Sequence, residues 1–294
     1  MKNIRRLRIV SIVIITIILL LGKDIYWVDD NSITAFSERN NTIAEPIIDL
    51  PPNDGEQHIH FRTYGDDNFV KSKRRIVQEA IDTGWFTTAL SLGPRNLTKD
   101  FRERFSDILS LPRGGGYWIW RFNVIEQTMA MVKEGDFLVL LDAGCSINKQ
   151  GETRFREYIE LVNKSQYDML SFNVPSIVEY KYTTKRLMVA FGVYGQENIT
   201  HTAIYEAGDA IFQKGPQFRA WFAFIMNILD SDPWLITDKY NNESRSYNPK
   251  FIDNRHDSSV MSLAWKKFGC VTFSNAETYI QNPKYPFHAG RIRE

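Results

Sequence analysis

The period of apolar positions changes repeatedly along this chain, and the changes divide it into alternating strand-like and helix-like segments. Residues 58–64 alternate and read as a first strand. Residues 68–83 place Phe69, Ile76, Val77, Ala80 and Ile81 at helical spacing. A second strand is expected over 85–92. A helix over 99–109 carries Phe101, Phe105, Ile108 and Leu109 on one face. An amphipathic helix is expected over 119–133, and a tight Glu134-Gly135-Asp136 turn leads from it to a strand over 136–141. Further helices are expected over 153–163, 217–229 and 257–268, and further strands over 168–174, 207–213 and 270–273. Strands alternating with helices predict an α/β domain with a mostly parallel sheet covered on both faces.

Within that pattern one segment stands out. Five unbroken apolar residues, Phe137 to Leu141, end at Asp142-Ala143-Gly144-Cys145. A buried strand that delivers a carboxylate at its C-terminal end, followed by small residues, is how an open α/β sheet builds a ligand site. Mg²⁺ and Mn²⁺ take carboxylate and phosphate oxygens together with water, so one or two protein carboxylates suffice. Gly144 removes a side chain where a phosphate must approach. Asp142 as a turn cap is the alternative reading.

The N-terminus has a different character. Lys2, Arg5, Arg6 and Arg8 precede an apolar run over 9–21, which Ile25-Tyr26-Trp27-Val28 extends to an aromatic end. We read 1–28 as a cytoplasmic basic tail and signal anchor, with a cleaved signal as the alternative. Residues 29–56 are polar and proline-punctuated, as in a stem, and 57–294 form the expected catalytic domain. Sequons at Asn40, Asn96, Asn163, Asn198 and Asn242 point the same way, to a type II membrane protein of a Golgi or ER lumen if the source is eukaryotic. The formal net charge of +1 gives no field to recruit nucleic acid. Two cysteines, Cys145 and Cys270, make no disulfide scaffold, although they are free to pair in an oxidising compartment.

Several motifs occur in a telling order. Gly116-Tyr117-Trp118-Ile119-Trp120-Arg121 is followed by Glu134-Gly135-Asp136, then Leu141-Asp142-Ala143-Gly144-Cys145, and later by Arg255-His256-Asp257-Ser258-Ser259. Together they resemble a largely uncharacterised family of GT-A-type glycosyltransferases, with a likeness over roughly 68–269. The resemblance implies a GT-A-like, Rossmann-like single domain that uses a nucleotide diphosphate sugar and a glycan acceptor. It also implies a divalent metal, Mn²⁺ or Mg²⁺, on Asp142. GT-A enzymes usually carry D-x-D there, and Gly144 stands at the second carboxylate position. His288 is then the candidate further metal ligand, with Arg291 near the phosphates. Arg121 is expected to assist the diphosphate, and Tyr117, Trp118 and Trp120 to stack on base or sugar or to pack in the core. Asp257 is expected on the acceptor side, and His256 to orient it or to contact the diphosphate. Asp257 or Ser258 as a helix N-cap is the alternative. The family pattern has Gln at Ser258 and Trp at Tyr182. These departures keep two rivals in view: a non-catalytic glycan-binding relative, and a hydrolase using Asp142 and Asp257 as a carboxylate pair.

Overall fold

A computed structural model describes residues 56–293. The expected anchor, the stem and the sequon at Asn40 lie outside the described residues. Among the described residues no helix is long and apolar enough to cross a membrane.

The centre is a seven-stranded sheet. Its strands are β1 (Ile59–Tyr64), β2 (Thr88–Leu92), β3 (Phe137–Leu141), β5 (Met169–Val178), β6 (Ala203–Tyr205), β7 (Asp209–Gln213) and β8 (Val271–Ser274). The order is β2-β1-β3-β7-β5-β6, with β8 beside β5. β1 pairs in parallel with β2 and β3, and β5 with β8, whereas β7 runs against both β3 and β5 and β6 runs against β5. Five strands therefore share one direction and two oppose it. β6 and β7 are two halves of one run broken at Glu206-Ala207-Gly208. A second, two-stranded sheet joins β4 (Ser146–Ile147) to β9 (Phe287–His288).

Helices that cover the faces include α1 (Val70–Thr83), α2 (Lys99–Arg104), α3 (Trp120–Met131), α4 (Glu152–Lys164), α5 (Pro216–Ser231) and α6 (Asp257–Phe268). Alternation along β3 sorts the two cores. Leu138 and Leu140 face Phe101, Phe122, Ile125, Trp221 and Trp265, from α2, α3, α5 and α6. Phe137, Val139 and Leu141 face Ile76, Ala80, Phe155 and Tyr158, from α1 and α4. The helix expected over 99–109 breaks at Phe105, whose backbone leaves the helical region. α3 differs from expectation in kind. It is buried on almost every side, from Trp120 and Arg121 through Phe122, Asn123, Val124 and Ile125 to Thr128 and Met129, so it is a core helix rather than an amphipathic one.

Glu179 ties α6 to the sheet. Its buried carboxylate accepts from Lys266 Nζ at 2.9 Å, from Thr183 Oγ1 at 2.6 Å and from Ser262. Glu179 is therefore an anchor for α6. Cys145 and Cys270 are both free thiols, so the pairing left open by the sequence does not occur.

Candidate functional site

The parallel strands β1, β2 and β3 end at one edge, and the aromatic turn, the Asp142 loop and the start of α6 meet there. Before α3, five successive residues from Gly114 to Trp118 have positive φ, at 59, 59, 94, 54 and 60°. The Tyr117 and Trp118 amides donate to the carbonyls four residues back, at 2.7 and 3.3 Å, which closes a left-handed helical turn. A left-handed conformation costs about 1–2 kcal/mol for a residue with a Cβ, and Tyr117 and Trp118 both carry one. Their contacts hold them there. The Tyr117 hydroxyl donates to Asp238 at 2.9 Å, and Trp118 stacks on His256 with centroids 5.4 Å apart. His256 itself has φ 55° and ψ −119°. Three residues with strained backbone thus meet, with the Tyr117 and Trp118 rings both against His256, as strain tends to cluster at functional sites.

Gly116 fits this turn closely. A Cβ on it would lie 2.8 Å from Leu109 Cα and 3.1 Å from the Ile108 carbonyl oxygen. Gly116→Ala is expected to cost about 2–5 kcal/mol, combining left-handed strain with overpacking. Urea denaturation measures it, and an unchanged midpoint would show that the turn has another low-energy conformation.

From this turn the chain enters α3 at Arg121, which is 1% exposed. Its guanidinium bridges two carboxylates: Nη2 donates to Asp142 Oδ1 at 2.8 Å and Nε to Asp257 Oδ2 at 2.7 Å. Nη1 is buried without a hydrogen-bond partner. Burial pulls the guanidinium pKa down, but the two carboxylate charges outweigh it and hold it above its ordinary value. The carboxylates differ. The Asp142 side chain is 42% exposed and open to solvent, whereas that of Asp257 is 8% exposed. Burial pushes the Asp257 carboxyl up to about 6 despite Arg121.

His256 neighbours Asp257 in sequence but serves a separate cluster. Its Nε2 lies 3.0 Å from Asp238 Oδ1, and Asp238 also accepts from Arg113 Nη1 at 2.7 Å and Asn241 Nδ2 at 3.0 Å. Burial pushes the Asp238 carboxyl up, but these donors, led by His256 and Tyr117, hold it below its usual value. Burial lowers the His256 pKa. The neutral ring donating from Nε2 leaves Nδ1 as an acceptor, a tautomer assigned from the hydrogen bond. His256 therefore pairs with Asp238 and does not orient Asp257. No motif pointed to Asp238; a lone aspartate in a loop carries no spacing signal.

Beneath Asp142 lie two more acids. Asp209 pairs in register with Leu141 and accepts from the Cys145 thiol at 2.9 Å. Burial pushes it up to about 6. Burial, with the Asp209 charge, pushes Glu206 up to about 9, while Thr278 Oγ1 donates to it at 2.9 Å. A carboxyl whose folded pKa is raised gives stability that is complete below its unfolded value and lost as pH rises towards the folded one. For Glu206 that window runs from 4.5 to about 9. Glu206→Gln is accordingly expected to raise Tm at pH 8 by roughly 5 °C, and by clearly less at pH 5. Equal shifts at both pH values would show that the buried carboxyl does not titrate in this way.

The remaining expected residues gather at the Asp142–Cys145 turn. The Ile292 amide donates to the Gly144 carbonyl at 2.8 Å, and a Cβ on Gly144 would lie 3.2 Å from Arg291 Cα. Arg291 is exposed beside this turn and hydrogen-bonds Tyr279. Arg75 Nη2 donates to the Ala143 and Cys145 carbonyls at 3.1 and 2.9 Å. His288 stands on β9 opposite Ser146, with Nδ1 3.0 Å from the Thr278 carbonyl oxygen.

For the divalent metal expected from the sequence these residues offer one exposed carboxylate, that of Asp142. Asp142 Oδ1 already holds Arg121. Gly144 packs on tail backbone where a second carboxylate would stand, and Asp209 and Glu206 are buried beneath the turn. Among the described residues no three His, Cys, Asp or Glu side chains converge to hold an ion. Asp142 and His288 thus form no metal site with a third such ligand. A groove of about 490 Å³ lined by Lys185, Arg186, Val189, Asp232 and Glu243 contains none of the site residues.

No protein-family model matches the chain, and no curated protein matches it. Among solved structures it is similar to a glycosyltransferase involved in the glycosylation of the major capsid of PBCV-1, with TM-score 0.40 and 11% identity over 79% of this chain and 93% of that one. It is similar to the WbbM bifunctional glycosyltransferase, with TM-score 0.46 and 12% identity over 78% of this chain and 40% of that one. Mouse xyloside xylosyltransferase 1 gives TM-score 0.42 and 10% identity over 76% and 86%. Likeness at this level carries no reaction across.

Proposed function

We propose that this chain is a glycosyltransferase that moves a sugar from a nucleotide diphosphate sugar to a glycan acceptor. The observation that carries the reading is the Asp142–Arg121–Asp257 clamp at the C-terminal edge of β1, β2 and β3. An open α/β sheet binds ligands at that edge. The motif order of the sequence supports the same reading.

In the reaction, an acceptor hydroxyl oxygen forms a bond to the anomeric carbon, and the bond from that carbon to the diphosphate breaks. The diphosphate leaves with the electron pair, and the hydroxyl proton goes to a base. Asp142, the exposed member of the clamp, faces the ligand. Asp257 acts through Arg121, fixing the guanidinium from its buried side, and this replaces the expected acceptor role. His256, held by Asp238, offers Nδ1 as the base. Tyr117 and Trp118 present aromatic surface next to it. The divalent ion expected from the sequence has no part in this reading. The expected anchor over 1–28 would make the enzyme a luminal type II membrane protein.

The hydrolase rival is disfavoured by the same clamp. A pair of carboxylates that cleaves glycosides keeps the gap between them open for sugar and water. Arg121 fills that gap here, at 2.8 Å from one carboxylate and 2.7 Å from the other.

The test is a screen of the full-length protein against a panel of nucleotide sugars, following release of free nucleoside diphosphate. Turnover of one donor, accelerated by a glycan acceptor, is expected. Glycan cleavage without any nucleotide sugar would overturn the reading.

A further inference from the structure

We propose that this site meets the donor's diphosphate with arginine side chains in place of a divalent ion, so that nucleotide binding survives complete removal of metal. The proposal rests on the transferase reading above and deepens it.

The first ground is the donor set at the turn after β3. A divalent ion shared between protein and diphosphate needs hard oxygen ligands pointing at the approach. One carboxylate is exposed there, and its Oδ1 already receives Arg121 Nη2 at 2.8 Å. The position two residues on is Gly144, which carries no carboxylate and packs on tail backbone. A Cβ on Gly144 would lie 3.2 Å from Arg291 Cα, 3.4 Å from Arg291 C and 3.5 Å from Ile292 N. A side chain there would need the tail backbone to give by a few tenths of an ångström. The two nearby acids are turned inward, Asp209 towards the Cys145 thiol and Glu206 towards Thr278.

The second ground is what stands there instead. Arg121 is a permanent cation, fixed from two sides by Asp142 and Asp257. Its third nitrogen, Nη1, is buried and has no hydrogen-bond partner in the protein, and the guanidinium lies over the Trp120 ring, 5.0 Å from its centroid. A buried N–H left unpaired is costly, and a guanidinium presents its donors in a fork matched to phosphate oxygens. A diphosphate oxygen would supply the missing acceptor once the atoms that close Nη1 from solvent move aside. Arg291 adds a second guanidinium on the solvent side of the same turn, carried by the backbone that packs on Gly144. The two clamp carboxylates more than balance Arg121, so the positive charge left for a diphosphate at this turn is that of the exposed Arg291.

The experiment is calorimetric titration of full-length protein, stripped with EDTA and checked by elemental analysis. UDP, GDP, CDP and dTDP are each titrated in EDTA and again in Mn²⁺. At least one nucleotide is expected to bind, with Kd values in the two buffers agreeing within about threefold. Arg291→Gln, at an exposed position that leaves the clamp intact, is expected to weaken binding in EDTA by about tenfold. Arg121→Lys keeps the charge without the fork and is expected to weaken it further. Where that variant fails to fold, Arg291→Gln carries the test. Binding only in the presence of Mn²⁺, or an unchanged Kd in Arg291→Gln, would overturn the proposal and leave the transferase reading standing. No binding of any of the four nucleotides in either buffer would sink both.

Discussion

Asp142→Asn is expected to remove transfer almost entirely, by about 100- to 1,000-fold in kcat/KM, in a protein that still folds. Asparagine keeps the shape and the hydrogen-bond acceptor for Arg121 Nη2 but loses the negative charge. The guanidinium is then held against one charged partner, Asp257, which lies on its buried side. The geometry that positions the donor would loosen at the atoms next to the reacting bond. Stability should change little, because the Asp142 side chain is 42% exposed and water can replace what it loses. The pair of measurements is steady-state turnover with the donor found in the screen, and thermal unfolding of the same preparation. A folded variant with full activity would remove Asp142 from the site.

Arg121→Leu is expected to have the largest effect on stability, about 3–5 kcal/mol, because it leaves a carboxylate buried without its partner. That carboxylate is Asp257, at the first turn of α6 and 8% exposed. The cost should be shared. Asp257→Asn alone leaves the guanidinium with Asp142 as its one charged partner, and the double variant removes both buried charges. The two effects should therefore fall short of adding, with a coupling of about 1–3 kcal/mol by urea denaturation. Strict additivity would mean that the contact of 2.7 Å between Arg121 and Asp257 contributes nothing to the fold.

Much of the framework was legible in the sequence because burial imposes periods on it. The helix expected over 257–268 is α6, and the strand expected over 136–141 is β3 to within one residue. Both follow from residues that face one core over several turns or pleats. β6, with three residues, and the β4–β9 pair, with two each, carry too few positions for any period to show. The reversal of β6 and β7 was hidden for a related reason. A strand pattern records which faces are buried, not which way the strand runs. α3 departs from the expected amphipathic helix because Arg121 and Asn123, polar in the sequence, are both buried with partners of their own.

The site was legible in its parts and not in its connections. Asp142 was visible as the acid at the end of an apolar run, and Arg121 as a cation in a glycine- and aromatic-rich approach. The clamp joins residues 21 and 136 positions apart, and no local pattern encodes such a contact. The left-handed turn was signalled only as Gly114-Gly115-Gly116, and its continuation through Tyr117 and Trp118 depends on Asp238 and His256. Asp238 itself was invisible until the fold brought Tyr117, Arg113 and His256 to it.

Photoaffinity labelling tests the central claim, that the edge bearing Asp142 is the nucleotide-sugar site, most directly. Full-length protein would be irradiated with an azido derivative of the nucleotide that binds, with and without excess unlabelled nucleotide, and the labelled peptides mapped. The account predicts displaceable label on peptides containing Tyr64–Asp66, Arg113–Arg121 or Asp142–Cys145. Displaceable label confined to another region, such as the groove around Lys185 and Glu243, would contradict it.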